Sequence, residues 1–381
     1  MNRSTTLTFS ALMAASMLAT SCGPKETAPD NTIDLTPAFE SKDIVNFFDI
    51  LDTAYVVKLE TSDECLIGGI PEYRVFDKYI CVSGGNSSSA PAIFFDRKGN
   101  FVTSIIKGNG PGEINGYIYT IVDDKNRNRL IIKDYNCLKF FDYDLNYIGK
   151  ANISNLFFDI AVLGDKYVLR VTIYDKNSDW GEFFDCKMLV TDTNYNVLDG
   201  RVHYVIPDGD KMMDRIIGGS YIISEDMLYY HEMQWDSLFV YDTAFHVLPI
   251  NFPNKAKIDI AEYTIENGNE FWNNIKGNYV ARIVPFDNYI LFFLNTGQVL
   301  YEKSTKKAVK ITSAPYMKIY YGNCFVESLN YMDLKRYKDN NKSKMPELKR
   351  VLSESDYAKL ESLTEDDNPV LIFYQLKKTL E

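Results

Sequence analysis

An all-β fold is what this sequence predicts: a six-bladed β-propeller with short helical insertions, its ring closed by the N- and C-terminal strands. Three observations predict it. A short polar-then-apolar unit returns six times, an aspartate-centred turn follows it at an even spacing, and an apolar strand without a local partner stands near each end of the chain. Antiparallel units of about 40–50 residues, each too small to bury its own apolar face, are the signature of blades of four strands around a channel.

The first unit is a polar turn residue followed by a short apolar strand. It reads Asp77-Lys78-Tyr79-Ile80-Cys81-Val82, then Asn128-Arg129-Leu130-Ile131-Ile132, then Asp165-Lys166-Tyr167-Val168-Leu169. Later copies are Asp226-Met227-Leu228-Tyr229-Tyr230, Asp287-Asn288-Tyr289-Ile290-Leu291 and the fainter Asn323-Cys324-Phe325-Val326. The second unit is an apolar pair, an aspartate and a further apolar side chain: Phe94-Phe95-Asp96 with Phe101, and Phe140-Phe141-Asp142 with Tyr147. It recurs around Asp192 with Val197 and Asp242 with Val247, the aspartates standing 46 to 50 residues apart. Each copy is two strands joined by a tight turn, in which the Asp bonds its own turn backbone and Gly or Asn accepts the bent dihedrals. A pair of β-sandwiches would rarely repeat one turn signature so evenly.

The strand Ala54–Leu59 stands ahead of the first copy and Asn368–Tyr374 long after the last. Pairing them in one blade closes the ring and removes the edges that invite aggregation. Helical spacing appears in two places, Glu262–Lys276 and Pro346–Leu363, the latter with Ser353-Glu354-Ser355-Asp356 as a capping sequence between two short helices. Both read as insertions on a face of the ring.

Residues 1–21 read as an export signal: Arg3 supplies the positive start, and the apolar run Leu7–Ala19 is too short to span a bilayer. The run Ala19-Thr20-Ser21-Cys22 resembles a bacterial lipobox with Ala19 in place of the usual leucine, so Cys22 is the expected lipid attachment site. Residues 22–50 are expected to form a flexible tether, being rich in Pro, Thr, Asp and Asn as far as Thr36, and residues 51–381 the propeller. These features place the chain as an exported lipoprotein of the cell envelope, in the outer membrane, held by its lipid alone and monomeric. Whether it faces the periplasm or the cell surface is left open.

Of 381 residues, 46% are hydrophobic, 14% aromatic and 24% charged, which rules out wholesale disorder and a coiled coil. A formal net charge of -11 excludes a nucleic-acid partner, because no basic excess exists to displace phosphate counterions. Apart from Cys22, the cysteines are Cys65, Cys81, Cys137, Cys186 and Cys324, an odd set without C-x-x-C spacing. Neither a disulfide framework nor a zinc cage is expected. His203, His231 and His246 fall in different repeats, so no metal site and no cofactor are expected either.

The run Lys107-Gly108-Asn109-Gly110-Pro111-Gly112-Glu113, the paired-strand units and the terminal Asp366-Asp367-Asn368-Pro369-Val370-Leu371 together resemble six-bladed β-propeller lipoproteins of Bacteroidetes. Those proteins are similar in turn to NHL and TolB-like propellers. The resemblance covers about residues 50–378; it implies the fold and no particular activity.

The glycine-rich run lacks the Lys-Ser/Thr of a phosphate-binding loop and reads as a bent link between blades. No nucleophile elbow occurs, and no catalytic residue is assigned. Propeller ligands sit at the channel mouth, on inner strands and the loops joining blades. Inner strands should precede the first unit, which puts Tyr73 and Arg74 of the first blade and Arg282 of the fifth beside the channel. Lys107, Asn109 and Glu113 come from the loop joining blades one and two. The arginines would suit a carboxylate or sulfate, or else pair with acids of adjacent blades. Trp180, Trp235 and Trp272 are the aromatic candidates outside the blade core. The expected function is non-catalytic binding of a glycan, a peptide or an envelope partner protein at the channel mouth. The alternative is a propeller lyase or hydrolase acting on a polysaccharide or other envelope polymer.

Overall fold

The computed structural model describes residues 31–380 except 69–70, 85–90, 116, 135–136, 154–156, 172–179, 204–219, 225, 259–267, 316–318 and 340–343. Before it joins the ring, the chain passes along the outside through β1 (Ile33–Asp34), α1 (Thr36–Glu40) and β2 (Ile44–Asn46), then enters β3 (Leu51–Lys58). Blade one is β4 (Pro71–Val75), β5 (Tyr79–Gly84), β6 (Ala92–Asp96) and β7 (Phe101–Ile105). Blade two is β8 (Thr120–Asp124), β9 (Arg129–Lys133), β10 (Cys137–Asp142) and β11 (Tyr147–Asn152). Blade three is β12 (Phe157–Leu163), β13 (Lys166–Val171), β14 (Cys186–Thr191) and β15 (Val197–His203). Blade four is β16 (Ser220–Ser224), β17 (Met227–His231), β18 (Ser237–Tyr241) and β19 (Phe245–Asn251), followed by helix α2 (Gly268–Asn274). Blade five is β20 (Val280–Phe286), β21 (Tyr289–Leu294), β22 (Gly297–Glu302) and β23 (Lys307–Thr312). Blade six opens with β24 (Ile319–Tyr321) and β25 (Cys324–Leu329). After helices α3 (Tyr331–Asp339), α4 (Met345–Val351) and α5 (Glu354–Glu361) it continues with β26 (Val370–Leu376).

The outermost strand of blade six is β3. It pairs antiparallel with β26 from Val370↔Lys58 to Leu376↔Leu51, so the two ends of the chain close the ring as the unpaired strands predict. The structure corrects the expected tether, however. Residues 33–50 form a strap: β1 adds a parallel fifth strand to blade four (Ile33↔Ile250) and β2 another to blade five (Ile44↔Lys310). Ile33, Leu35, Ala38, Phe47 and Phe48 are buried along it, apolar side chains spaced too irregularly to show a period among the Pro, Thr and Asp around them. The predicted signal and Cys22 lie outside the described residues.

Among the described residues the core is divided into six clusters, one between each pair of neighbouring blades. The period of two produces this division. In β5, Ile80 and Val82 pack toward blade six while Tyr79 and Cys81 pack toward blade two. The aspartate turns form as predicted. Asp96 Oδ1 accepts from the backbone N–H groups of Lys98 (2.8 Å) and Asn100 (2.9 Å), and the Asn100 amide donates to Oδ2. Asp142 with Asn146 and Asp192 with Asn196 repeat the arrangement. Gly99, Leu145 and Tyr195 hold the same left-handed position in the three turns. Only the first requires glycine: there the closing strand comes so near that a Cβ would meet the Lys58 carbonyl oxygen at 2.2 Å.

Of the predicted helical insertions, Ser353 caps α5 as expected, accepting from the Asp356 N–H. Within the described part of the predicted segment 262–276, α2 covers Gly268–Asn274 and stops short of Ile275 and Lys276. The sequence reading missed α3, which begins where Asn330 Oδ1 accepts from the Asp333 N–H (2.8 Å). Leu334, Leu348 and Leu360 anchor α3 to α5 in the core between blades five and six. Among the described residues, no helix is long and apolar enough to cross a membrane.

Candidate functional site: the central channel

The inner strands β4, β8, β12, β16 and β24 enclose a channel of about 1780 Å³. The turns from inner to second strand frame one mouth. Asp77, Asp226, Asp287 and Asn323, the polar residues of the first repeat unit, line that rim. Asp226 (φ 60°) and Asp287 (φ 40°) sit in the left-handed region, which short polar side chains tolerate best, so turn chemistry alone gathers acids here. Asp77 pairs with Lys125 at 2.8 Å and accepts from the Tyr321 hydroxyl, and the Lys125 ammonium holds its carboxyl below the usual range. Burial pushes the neighbouring Asp123 up, against the hydrogen bond that the Tyr143 hydroxyl donates to it.

The opposite mouth is built from the start of β4, the approach to β8 and the first turn of α3. Glu72, Arg74, Tyr117, Tyr331, Met332 and Asp333 line it. Arg74 donates to the Ser83 hydroxyl (3.0 Å) and to Glu72 (3.1 Å), while the exposed Tyr117 donates its hydroxyl to the other Glu72 oxygen (3.2 Å). Asp367, also on the lining, pairs with Lys58 at 3.0 Å.

Between the mouths lies a polar belt. A bulge between Phe157 and Asp159 turns Asp159 into the channel wall, 3.6 Å from Arg170. Burial raises the Asp159 carboxyl, against the opposing pull of Arg170 and Arg74. Tyr221 donates to the Val168 carbonyl (2.6 Å), and Tyr320 accepts from the Ile223 N–H (3.2 Å), joining blade six to blade four across blade five. Burial lifts Tyr73 to about 12 and raises Tyr221 and Tyr320 further, so these phenols stay protonated and do not act as bases. Among the described lining residues, carboxylates come from Glu72, Asp77, Asp123, Asp159, Asp226, Asp287, Asp333, Glu365 and Asp367; the cations are Arg74 and Lys125, both ion-paired. The channel is acidic.

The structure brings together only part of the predicted set. Tyr73 and Arg74 line the channel, with Arg74 paired to Glu72 of its own strand. Arg282 does not line it: its guanidinium stacks 4.1 Å over Phe293 in the next strand, and only Asp287 of blade five reaches the lining. Tyr320, bonded to blade four, supplies the wall there instead. Lys107, Asn109 and Glu113 also lie off the channel. Glu113 folds back to accept from the Gly110 N–H (2.7 Å), and Cβ atoms at Gly108 or Gly110 would collide with its carboxylate. The glycines therefore make room for an internal cap. Trp235 packs in the core of blades three and four, between Tyr230 and Phe239.

Glu72, Tyr117, Asp159 and Tyr331 were missed because inner strands and rim loops carry no repeated motif. Also missed was a cluster of three side chains of types able to ligate a metal, Asp185, Cys186 and His203, at the outer strands of blade three. No spacing signal exists for it, since the strand pair separates its members in sequence.

A family model for a domain of unknown function, DUF4934, matches residues 30–375, which is nearly the whole chain. The chain belongs to the DUF4934 family. Among solved structures, this DUF4934 propeller is similar to a Bacteroides fragilis protein described as exported, with a TM-score of 0.66 and 18% identity over 91% of this chain and 100% of that one. It is also similar to a DUF4221-family member from Bacteroides vulgatus, with a TM-score of 0.51 and 10% identity over 86% of this chain and 97% of that one. What they share with this chain is the fold. No curated protein matches the sequence.

Proposed function

We propose that this protein is an exported, lipid-anchored binding propeller of the cell envelope that takes an uncharged stretch of a glycan into the channel mouth framed by Tyr117, Tyr331 and the Glu72–Arg74 pair. The observation that carries the reading is the composition of that mouth. An exposed tyrosine face beside a carboxylate–guanidinium pair offers a stacking surface and both donors and acceptors for sugar hydroxyls. The excess of carboxylates disfavours sulfated or acidic ligands, which turns the choice away from the anionic groups that the arginines alone would suggest. The Tyr73 phenol stays protonated and Arg74 is ion-paired, so neither a phenolate nor a free cation is offered there, which supports the binding reading. Anchoring rests on Cys22 and the lipobox-like run before it.

The test is an array of neutral, sulfated and uronic-acid oligosaccharides together with basic peptides, followed by calorimetry on Tyr117→Ala and Tyr331→Ala. Neutral glycans should bind and the variants should lose that binding at an unchanged melting temperature. Binding of basic peptides alone would replace the glycan with a peptide, and cleavage of an oligosaccharide would replace binding with catalysis. For the anchor, Cys22→Ala should release the protein in soluble form; membrane retention of that variant would overturn it.

A further inference from the structure

We propose that Asp185, Cys186 and His203 form a binding site for a borderline-soft divalent transition metal, zinc foremost, on the outer strands of blade three and independent of the channel.

Cys186 opens β14 and His203 ends β15, and the two are direct cross-strand partners. Side chains of such partners leave the same face of the sheet, so the pairing aims thiol and imidazole at one point. Asp185, one residue earlier, reaches the same point from the start of the strand. His203 Nδ1 is 3.0 Å from Asp185 Oδ2 and 3.8 Å from Cys186 Sγ, and Sγ is 3.8 Å from Asp185 Oδ1. Zinc bonds of about 2.3 Å to sulfur and about 2.0–2.1 Å to nitrogen or oxygen put tetrahedral ligand atoms roughly 3.3–3.6 Å apart. Each of the three pairs stands within a few tenths of an ångström of that spacing, the nitrogen facing one Asp185 oxygen and the sulfur the other, and one ligand atom from each residue lies within 4.8 Å of the other two, so turning the carboxylate is the motion that closes the site.

The surroundings fix the sulfur. A Cβ at Gly200 would lie 2.6 Å from Cys186 Sγ and 2.7 Å from a Phe183 ring carbon, so the thiol fills the space that this glycine leaves, with the Phe183 ring beside it. His203 is largely exposed, which leaves a fourth position facing water. The donor set selects the metal: thiolate with imidazole suits zinc and its neighbours, whereas calcium and magnesium want oxygen ligands alone. Bound there, the ion would tie the ends of the two outer strands of blade three.

The experiment uses the exported form of the chain, stripped with chelator under reducing conditions and titrated with Co²⁺, then Zn²⁺. Co²⁺ should give a thiolate charge-transfer band that saturates at a single equivalent and is quenched by Zn²⁺, with Ca²⁺ without effect. Cys186→Ser should abolish the band, and the surface variant His203→Ala should lose the tight site while keeping the apo melting temperature. His246→Ala, which removes the other exposed His–Asp pair but touches no cysteine, should change nothing. A band that survives in Cys186→Ser and His203→Ala, or wild-type protein that shows none, would overturn the proposal.

Discussion

Tyr55 and Phe373 lie face to face across the seam of the ring, their centroids 4.7 Å apart and their planes within 4° of parallel. They are direct cross-strand partners, so one aromatic ring from each end of the chain meets where β3 joins β26. The same two strands line the cores shared with blade five and with blade one. Deleting residues 368–381 removes β26 and leaves β25 and β3 without a common neighbour. The expected outcome is loss of cooperative thermal unfolding, or aggregation. A truncated chain that keeps the full melting temperature would show that the terminal strands do not close the ring.

Asn368 secures the exit from that seam. Its side chain is buried, its amide donates to the carbonyls of Glu60 (2.6 Å) and Cys65 (2.9 Å), and its Oδ1 accepts from the Ile67 N–H (2.8 Å). Its own N–H donates to the Thr61 hydroxyl. One side chain thus satisfies the link from β3 to blade one. Asn368→Ala strands these partners in the interior and should cost about 3 kcal/mol or more in denaturant unfolding. Asn368→Asp should cost at least as much, because a carboxylate cannot donate to either carbonyl. Tolerance of Asp at this position would refute the hydrogen-bond account.

Blades three and four are joined by a buried ion pair. Lys187 Nζ lies 2.8 Å from both Glu232 oxygens, which also accept from the Tyr230 hydroxyl and the Gln234 amide. Removing one charge of such a pair leaves the other uncompensated, at a cost of about 3–5 kcal/mol. Glu232→Gln should fall in that range, whereas the double variant Lys187→Met with Glu232→Gln should recover a large part of the loss. A double-mutant cycle on denaturation midpoints measures this, and simple additivity would show the pair to be weakly coupled.

The blades and their closure are legible in the sequence because the signals are local. Period-two strands and an aspartate that bonds its own turn need no distant partner to be recognised, as Asp96, Asp142 and Asp192 show. The channel is legible only in part. Arg74 could be placed by counting back from a repeat unit, but Arg282, placed by the same count, is supplanted on the wall by Tyr320, a residue of the next blade bonded to the one before. Asp159 owes its place to a bulge, and bulges leave no pattern. The strap at residues 33–50 is held by parallel pairing with strands more than two hundred residues away, which composition cannot reveal.

His231 gives the fold a defined sensitivity to acid. Its ring is buried at the end of β17, held through Nε2 at 3.3 Å from the Trp235 carbonyl. Burial disfavours the charged form and lowers its pKa from 6.5 to about 4, so it is neutral in the folded protein while the unfolded chain takes up a proton near 6.5. Between these values the unfolded state binds more protons, so stability is full above about pH 6.5 and declines as pH falls toward 4. Over that window the single group accounts for about 3 kcal/mol. His231→Gln keeps a polar side chain that does not titrate. Its melting temperature should therefore lie below that of the wild type at neutral pH, with the gap closing or reversing toward pH 4. Melts of both proteins across pH 4–8 decide the matter: parallel curves would mean that the folded protein lets His231 protonate freely, and that the ring nitrogen is not sealed between these strands.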